Sequence, residues 1–87
     1  GPNSDTLPGL LESLASLHLD TGDFRTAEAL YLKSLTIQQS SSGRFQTSIA
    51  STLGKLGNLK AATGLFDEAL KFHEQSVSYV RERQGSE

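Results

Sequence analysis

The chain is written twice. Sliding it against itself by 42 residues, the interval from Gly22 to Gly64, aligns Leu11 with Leu53, Leu14 with Leu56 and Leu17 with Leu59. The same shift aligns Thr21 with Thr63, Phe24 with Phe66, Ala27 with Ala69 and Ser34 with Ser76. Leu7/Ile49, Ala15/Gly57, Leu30/Phe72 and Leu35/Val77 add similar pairs at that offset. A fixed internal period of this kind marks a supersecondary unit that buries its apolar side by stacking on its neighbours, and 87 residues hold two such units.

Each copy reads as two helices. In the first, Leu7, Leu10 or Leu11, Leu14, Leu17 and His18 fall at i, i+3, i+4, i+7 spacing, which lays an apolar stripe along one helix face. Asp5 or Thr6 is placed to cap its start, and Pro8 is tolerated in the first turn. Asp20-Thr21-Gly22-Asp23 ends it, because glycine accepts the left-handed backbone that closes many helices. Phe24, Ala27, Leu30 or Tyr31, Ser34 or Leu35 and Gln38 carry the spacing on as a second helix. The second copy runs through Phe45, Ile49, Leu53, Leu56 with Gly57, and Leu59, breaks at Thr63-Gly64, and resumes with Phe66, Ala69 with Leu70, His73, Val77 and Val80. Period-two alternation is nowhere sustained, so the expected fold is all-α, four helices in two tandem antiparallel helix-turn-helix units. Ala15 and Gly57 on the first helices, and Ala27 and Ala69 on the second, are expected where helix backbones approach closely.

Domain limits follow. Gly1 to Ser4 looks like the remnant of a cleaved purification tag. Residues 5–84 form one domain, with repeat one over about 5–40, a linker at 39–44 and repeat two over about 45–84; residues 85–87 are an unpatterned, disordered tail. The linker contains three consecutive serines and a glycine, and is a candidate hinge for domain swapping.

Composition removes several function classes. Leu, Ile, Val and Phe make about a quarter of the chain, above the roughly 20% below which chains tend to stay disordered. The net charge of −2 carries no basic footprint for nucleic acid. No apolar run approaches the roughly 20 residues that span a bilayer, so no membrane partner is expected. Cysteine is absent, which excludes disulfides and thiolate metal sites and is compatible with a cytoplasmic (intracellular) location.

The series Leu11-x-x-Leu14-Ala15-x-x-His18-x-x-x-Gly22-x-Phe24-x-x-Ala27-x-x-x-Tyr31-x-x-Ser34 resembles the tetratricopeptide repeat (TPR). Leu53-x-x-Leu56-Gly57-x-x-Lys60-x-x-x-Gly64-x-Phe66-x-x-Ala69-x-x-x-His73-x-x-Ser76 matches in register. The period exceeds the usual length of about 34 residues and is similar to the longer-helix subtype found in kinesin light chains. The paired groove asparagines of that subtype correspond here to Glu12-Ser13 and Gly54-Lys55, its Asp-His-Pro element between repeats is replaced by the serine linker, and Lys60 stands where an aromatic is preferred. The resemblance therefore implies an architecture, a fragment of a right-handed α-solenoid, rather than a particular cargo.

No catalytic residue, metal site or cofactor is expected. His18 and His73 fall on the buried or boundary stripe without the partners that a base or a metal ligand needs. Gly54-Lys55-Leu56-Gly57 lies mid-helix with the wrong spacing for a phosphate loop. The resemblance implies instead a protein-protein interaction scaffold that takes a peptide or helix on the concave face lined by the first helix of each repeat. The residues implied there are Glu12, Ser16, Leu19 and Asp20 from copy one, and Ser51, Lys55, Asn58 and Ala62 from copy two. Lys55 and Asn58, at i, i+3, are placed to hold a carboxylate or a backbone amide jointly. A second expectation is self-association. Two units without a capping helix leave Leu70, Val77 and Val80 on the last helix unpaired. A few hundred Å2 of such surface, at about 25 cal/mol per Å2, is comparable to the whole stability of a small domain. A second copy (a homodimer), a further repeat or a protein partner is expected to cover it.

Overall fold

A computed structural model describes residues 7–40 and 46–85. Among these residues it contains four helices: α1 (Leu7–Asp20), α2 (Phe24–Gln39), α3 (Gln46–Ala62) and α4 (Phe66–Gly85). No strand occurs among the described residues. The proposed caps Asp5 and Thr6, the tag remnant and most of the serine linker lie outside the described residues.

Both breaks form by the same chemistry. Gly22 and Gly64 each take φ of 83°, the left-handed region that a side chain disfavours. In each break the glycine N–H donates to the carbonyl three residues back, Gly22 to Leu19 at 2.9 Å and Gly64 to Ala61 at 3.0 Å. The next N–H reaches five back, Asp23 to His18 at 2.8 Å and Leu65 to Lys60 at 2.9 Å. This pair of bonds closes the last carbonyls of α1 and α3. The threonine before each glycine adds a hydroxyl bond, Thr21 Oγ1 to His18 and Thr63 Oγ1 to Lys60, both at 2.9 Å. The second helices start differently. Asp23 caps α2 by accepting from the Thr26 N–H, while α4 has no capping side chain at Leu65 and carries Asp67 and Glu68 in its first turn, where the helix dipole favours negative charge.

Packing runs in chain order, α1 on α2, α2 on α3 and α3 on α4, giving two tandem hairpins in a solenoid-like slab of 40 × 33 × 15 Å. The helix with the weakest propensity, α3, with Gly54, Gly57 and several Ser/Thr residues, is the best buried. Ile49, Leu53, Leu56 and Leu59 enter one core with Ala15, Ala27, Tyr31 and Leu35. Tertiary packing on two sides holds α3 where intrinsic preference would not. The small residues sit as the pattern predicts, with Ala15, Ala27, Gly57 and Ala69 all buried.

The leucine stripe of α1 departs from the single buried face that its spacing suggests. Leu11 and Ala15 are buried, but Leu7, Leu10, Leu14 and Leu17 are exposed at 41%, 60%, 47% and 62%. Their counterparts one period later on α3 include Ile49, Leu56 and Leu59, which are 2%, 0% and 3% exposed. The cause is position in the stack: α3 has a helix on each side, whereas α1 has only α2.

Candidate binding surface

A groove runs between α1 and α3 with α2 as its floor, and the side chain at its centre is Glu12. Helix α1 presents Glu12 inward, half-buried, to residues of two other helices. One carboxylate oxygen accepts from Ser34 Oγ at 2.8 Å and Gln38 Nε2 at 3.1 Å on α2, and from Thr52 Oγ1 at 2.6 Å on α3. The other accepts from Lys55 Nζ at 2.7 Å. The Thr52 hydroxyl also lies 3.0 Å from Gln38 Oε1 and 2.9 Å from the Ser48 carbonyl, but it has one proton, and the charged acceptor takes it. Burial alone pushes the Glu12 carboxyl up, but Lys55, Thr52 and Ser34 outweigh it and hold the carboxyl below its ordinary value.

The Glu12–Lys55 pair divides the groove. Toward the start of α1 lies a polar hollow of about 250 Å3 lined by Pro8, Gly9, Glu12, Gln38, Ser48, Ser51 and Lys55. Toward the other end lies an apolar hollow of about 320 Å3 lined by Leu19, Phe24, Tyr31, Lys55, Asn58, Leu59 and Ala62. Lys55 borders both, and its side chain is 45% exposed beside its partner. Of the eight residues named from sequence, Glu12, Ser51 and Lys55 line the polar hollow, and Leu19, Lys55, Asn58 and Ala62 the apolar one. Ser16 and Asp20 are exposed on α1 and line neither.

Sequence reasoning did not single out Phe24, Tyr31 and Leu59 as groove residues. Their periodicity marks them as core, and all three do pack in or against the core while turning an edge to the hollow. A position that serves both purposes leaves no separate signal in the helical spacing. Nor did it find the Ser34, Gln38, Thr52 and Glu12 cluster, because its members come from three helices.

A second ion cluster lies at the far side of α3. Lys60 Nζ is 2.8 Å from Glu28 Oε2 on α2 and 3.1 Å from Glu68 Oε1 on α4. Bonds to Glu28 and then Glu68 push the Lys60 ammonium above its ordinary value. His18 Nδ1 stands 3.3 Å from Asp23 at the α1–α2 turn, and His73 packs against Gly57. Among the described residues no three His, Asp or Glu side chains cluster as a metal site, and no helix is long and apolar enough to cross a membrane. Leu70, Val77 and Val80, named from sequence as unpaired, are exposed along α4 at 58%, 50% and 45%.

A family model described as tetratricopeptide repeat matches residues 6–82. No curated protein and no solved structure matches the chain.

Proposed function

As this chain belongs to the tetratricopeptide repeat family, we propose that it is a binding module that seats a peptide or helix of another protein along the α1–α3 groove. The family is in general a non-enzymatic scaffold type that mediates protein-protein interactions. The observation that carries the reading is the apolar hollow with a polar edge: Leu19, Phe24, Tyr31, Leu59 and Ala62 form the wall, and Lys55 and Asn58 stand side by side on one border. A hollow of about 320 Å3 is at the small end of the range for ligand pockets and suits one apolar side chain of a peptide rather than a metabolite. The Asn58 amide offers a donor and an acceptor to the peptide backbone, and Lys55 keeps N–H groups free beyond the one spent on Glu12. Because Glu12 already neutralises Lys55, the groove is mixed in charge, which favours an apolar anchor over a strongly acidic ligand.

Selection of a random-peptide display library on the wild-type module tests this. Enriched peptides should share one large apolar residue flanked by polar positions. They should lose binding to Ala62→Arg, which fills the hollow from an exposed position, and weaken about tenfold or more on Asn58→Ala, the loss of one or two hydrogen bonds. Failure to enrich any peptide, or equal binding by both variants, would overturn it.

A further inference from the structure

Two apolar stripes lie at opposite ends of the stack, and each has a buried counterpart inside the molecule. The exposed Leu7, Leu14 and Leu17 of α1 stand one period before the buried Ile49, Leu56 and Leu59 of α3. The exposed Val77 and Val80 of α4 stand one period after the buried Leu35 and Gln38 of α2. What connects those inner residues is the packing of α2 on α3. The α1 stripe is therefore the α3 half of that interface without its mate, and the α4 stripe is the α2 half without its own.

The polar positions identify the mate. Within the molecule Gln38 of α2 meets Thr52 of α3 at 3.0 Å, and Glu28 of α2 meets Lys60 of α3 at 2.8 Å. On the outer stripes Gln38 is replaced by Val80 and Thr52 by Leu10, while Glu28 is replaced by Leu70 and Lys60 by His18. Both members of each contact have changed together. Two polar side chains in contact have become an apolar pair, and an ion pair has become a leucine facing a histidine that is held by Asp23. Laid on a surface like α3, the α4 stripe would strand the lysine that Glu28 holds. Laid on a surface like α2, the α1 stripe would strand a glutamine and a glutamate, and buried polar groups without partners are costly. The two stripes suit each other. A shallow hollow of about 410 Å3 along α4, with Leu70 and Val77 in its lining, is where leucines of α1 would seat.

We propose that copies of this chain stack head to tail, Leu7, Leu10, Leu14 and Leu17 of one copy covering Leu70, Val77 and Val80 of the next, in a repetition of the α2–α3 packing. The contact joins different patches on the two copies, so every added copy presents a fresh α1 and a fresh α4. Assembly runs on as an open series or closes as a ring; it does not stop at two.

Sedimentation at rising concentration reads this directly, with a mean mass expected to climb past twice the 9.4 kDa of one chain. Leu14→Glu/Leu17→Glu blocks the α1 end and Leu70→Glu/Val80→Glu blocks the α4 end; all four residues are exposed and lie outside the buried core. Each variant alone is expected to remain at 9.4 kDa, and an equimolar mixture to give twice that mass and nothing larger. A wild-type chain that stays monomeric to its solubility limit, a mass that levels at two, or an α1-blocked variant that dimerises by itself overturns the proposal. Should circular dichroism show either variant unfolded, the absence of native cysteine allows a second reading. Single Leu10→Cys and Val80→Cys chains, mixed and treated with a short bis-maleimide, should join to each other. Val80→Cys joining to itself instead, or no joining at all, equally refutes head-to-tail stacking.

Discussion

Two glycines of α3, three residues apart, make opposite demands on their surroundings. A Cβ built on Gly57 would lie 2.6 Å from Nε2 and 2.7 Å from Cδ2 of His73, closer than real Cβ atoms approach a ring. The matching site in the first hairpin is Ala15, fully buried, with Tyr31 in place of His73. At the α3–α4 crossing the His73 ring thus fills the space that a methyl group would take. Gly54 has only Ser76 Oγ near its notional Cβ, at 3.9 Å. Gly57→Ala should destabilise by up to about 2 kcal/mol, an overpacking cost of about 1–3 kcal/mol reduced by the better helix propensity of alanine, about 1 kcal/mol. Gly54→Ala should stabilise by about 0.5–1 kcal/mol, since it gains that propensity without a clash. Urea unfolding of both variants checks the contrast, and His73→Ala should rescue Gly57→Ala. Two shifts of the same sign would contradict the crossing described.

At the scale of the helices, Lys60 is the residue by which α3 holds both of its neighbours. Its side chain is nearly buried and carries the ammonium to Glu28 of α2 and Glu68 of α4, and the Glu28 contact is both shorter and less exposed. Lys60→Met should cost about 1–3 kcal/mol, because it leaves two carboxylates facing each other, and Glu28→Gln should cost more than Glu68→Gln. Equal losses for the two glutamines, in chemical denaturation at low salt, would place the weight of the cluster elsewhere. The four helices and the breaks within the two hairpins were legible in the amino-acid order because they rest on local chemistry: apolar residues at helical spacing and a Thr-Gly at each of the two breaks. Lys60 was visible as an unusual residue, but its partners lie 32 residues before it on α2 and on the following helix. The α1 stripe was legible as apolar and misleading as buried, because spacing tells which side of a helix is greasy and not whether a neighbour exists to cover it. Four of the groove residues, Leu19, Lys55, Asn58 and Ala62, do meet around one hollow, since one helical register on α3 carries the last three and α1 brings Leu19 opposite them. Glu12 was placed on the right helix face, but its four donors sit 22 to 43 residues away, beyond anything a helical pattern can express.

For the whole molecule, Glu12 gives the two hairpins a common dependence on pH. Each hairpin could form its own helix pair, and in a stack of repeats the interface between neighbours supplies the remaining cooperativity. Glu12 is the α1 side chain that reaches Thr52 and Lys55 of the second hairpin, so part of that interface is a single carboxylate. Its folded-state value lies below the ordinary 4.5. A depressed carboxyl contributes stability that is fully present above the unfolded value and is lost as pH falls through the folded one, at about 1.4 kcal/mol per unit of depression. Lys60 acts in the opposite direction: its raised value means that its own titration removes stability only as alkali passes the folded value, so the ammonium itself does not titrate in the acid range. Glu12→Gln at neutral pH removes the charge from four hydrogen bonds and turns an amide N–H toward Lys55 or the donors of α2. A loss of about 2–3 kcal/mol is expected there. Below the folded value the wild-type carboxyl is itself protonated, and the two proteins should converge. Urea titrations at neutral pH and at steps down through the acid range follow the gap, which should narrow once pH falls below the ordinary carboxylate value. A gap that stays constant as pH falls would mean that Glu12 serves as packing, and that its charge does not join the hairpins.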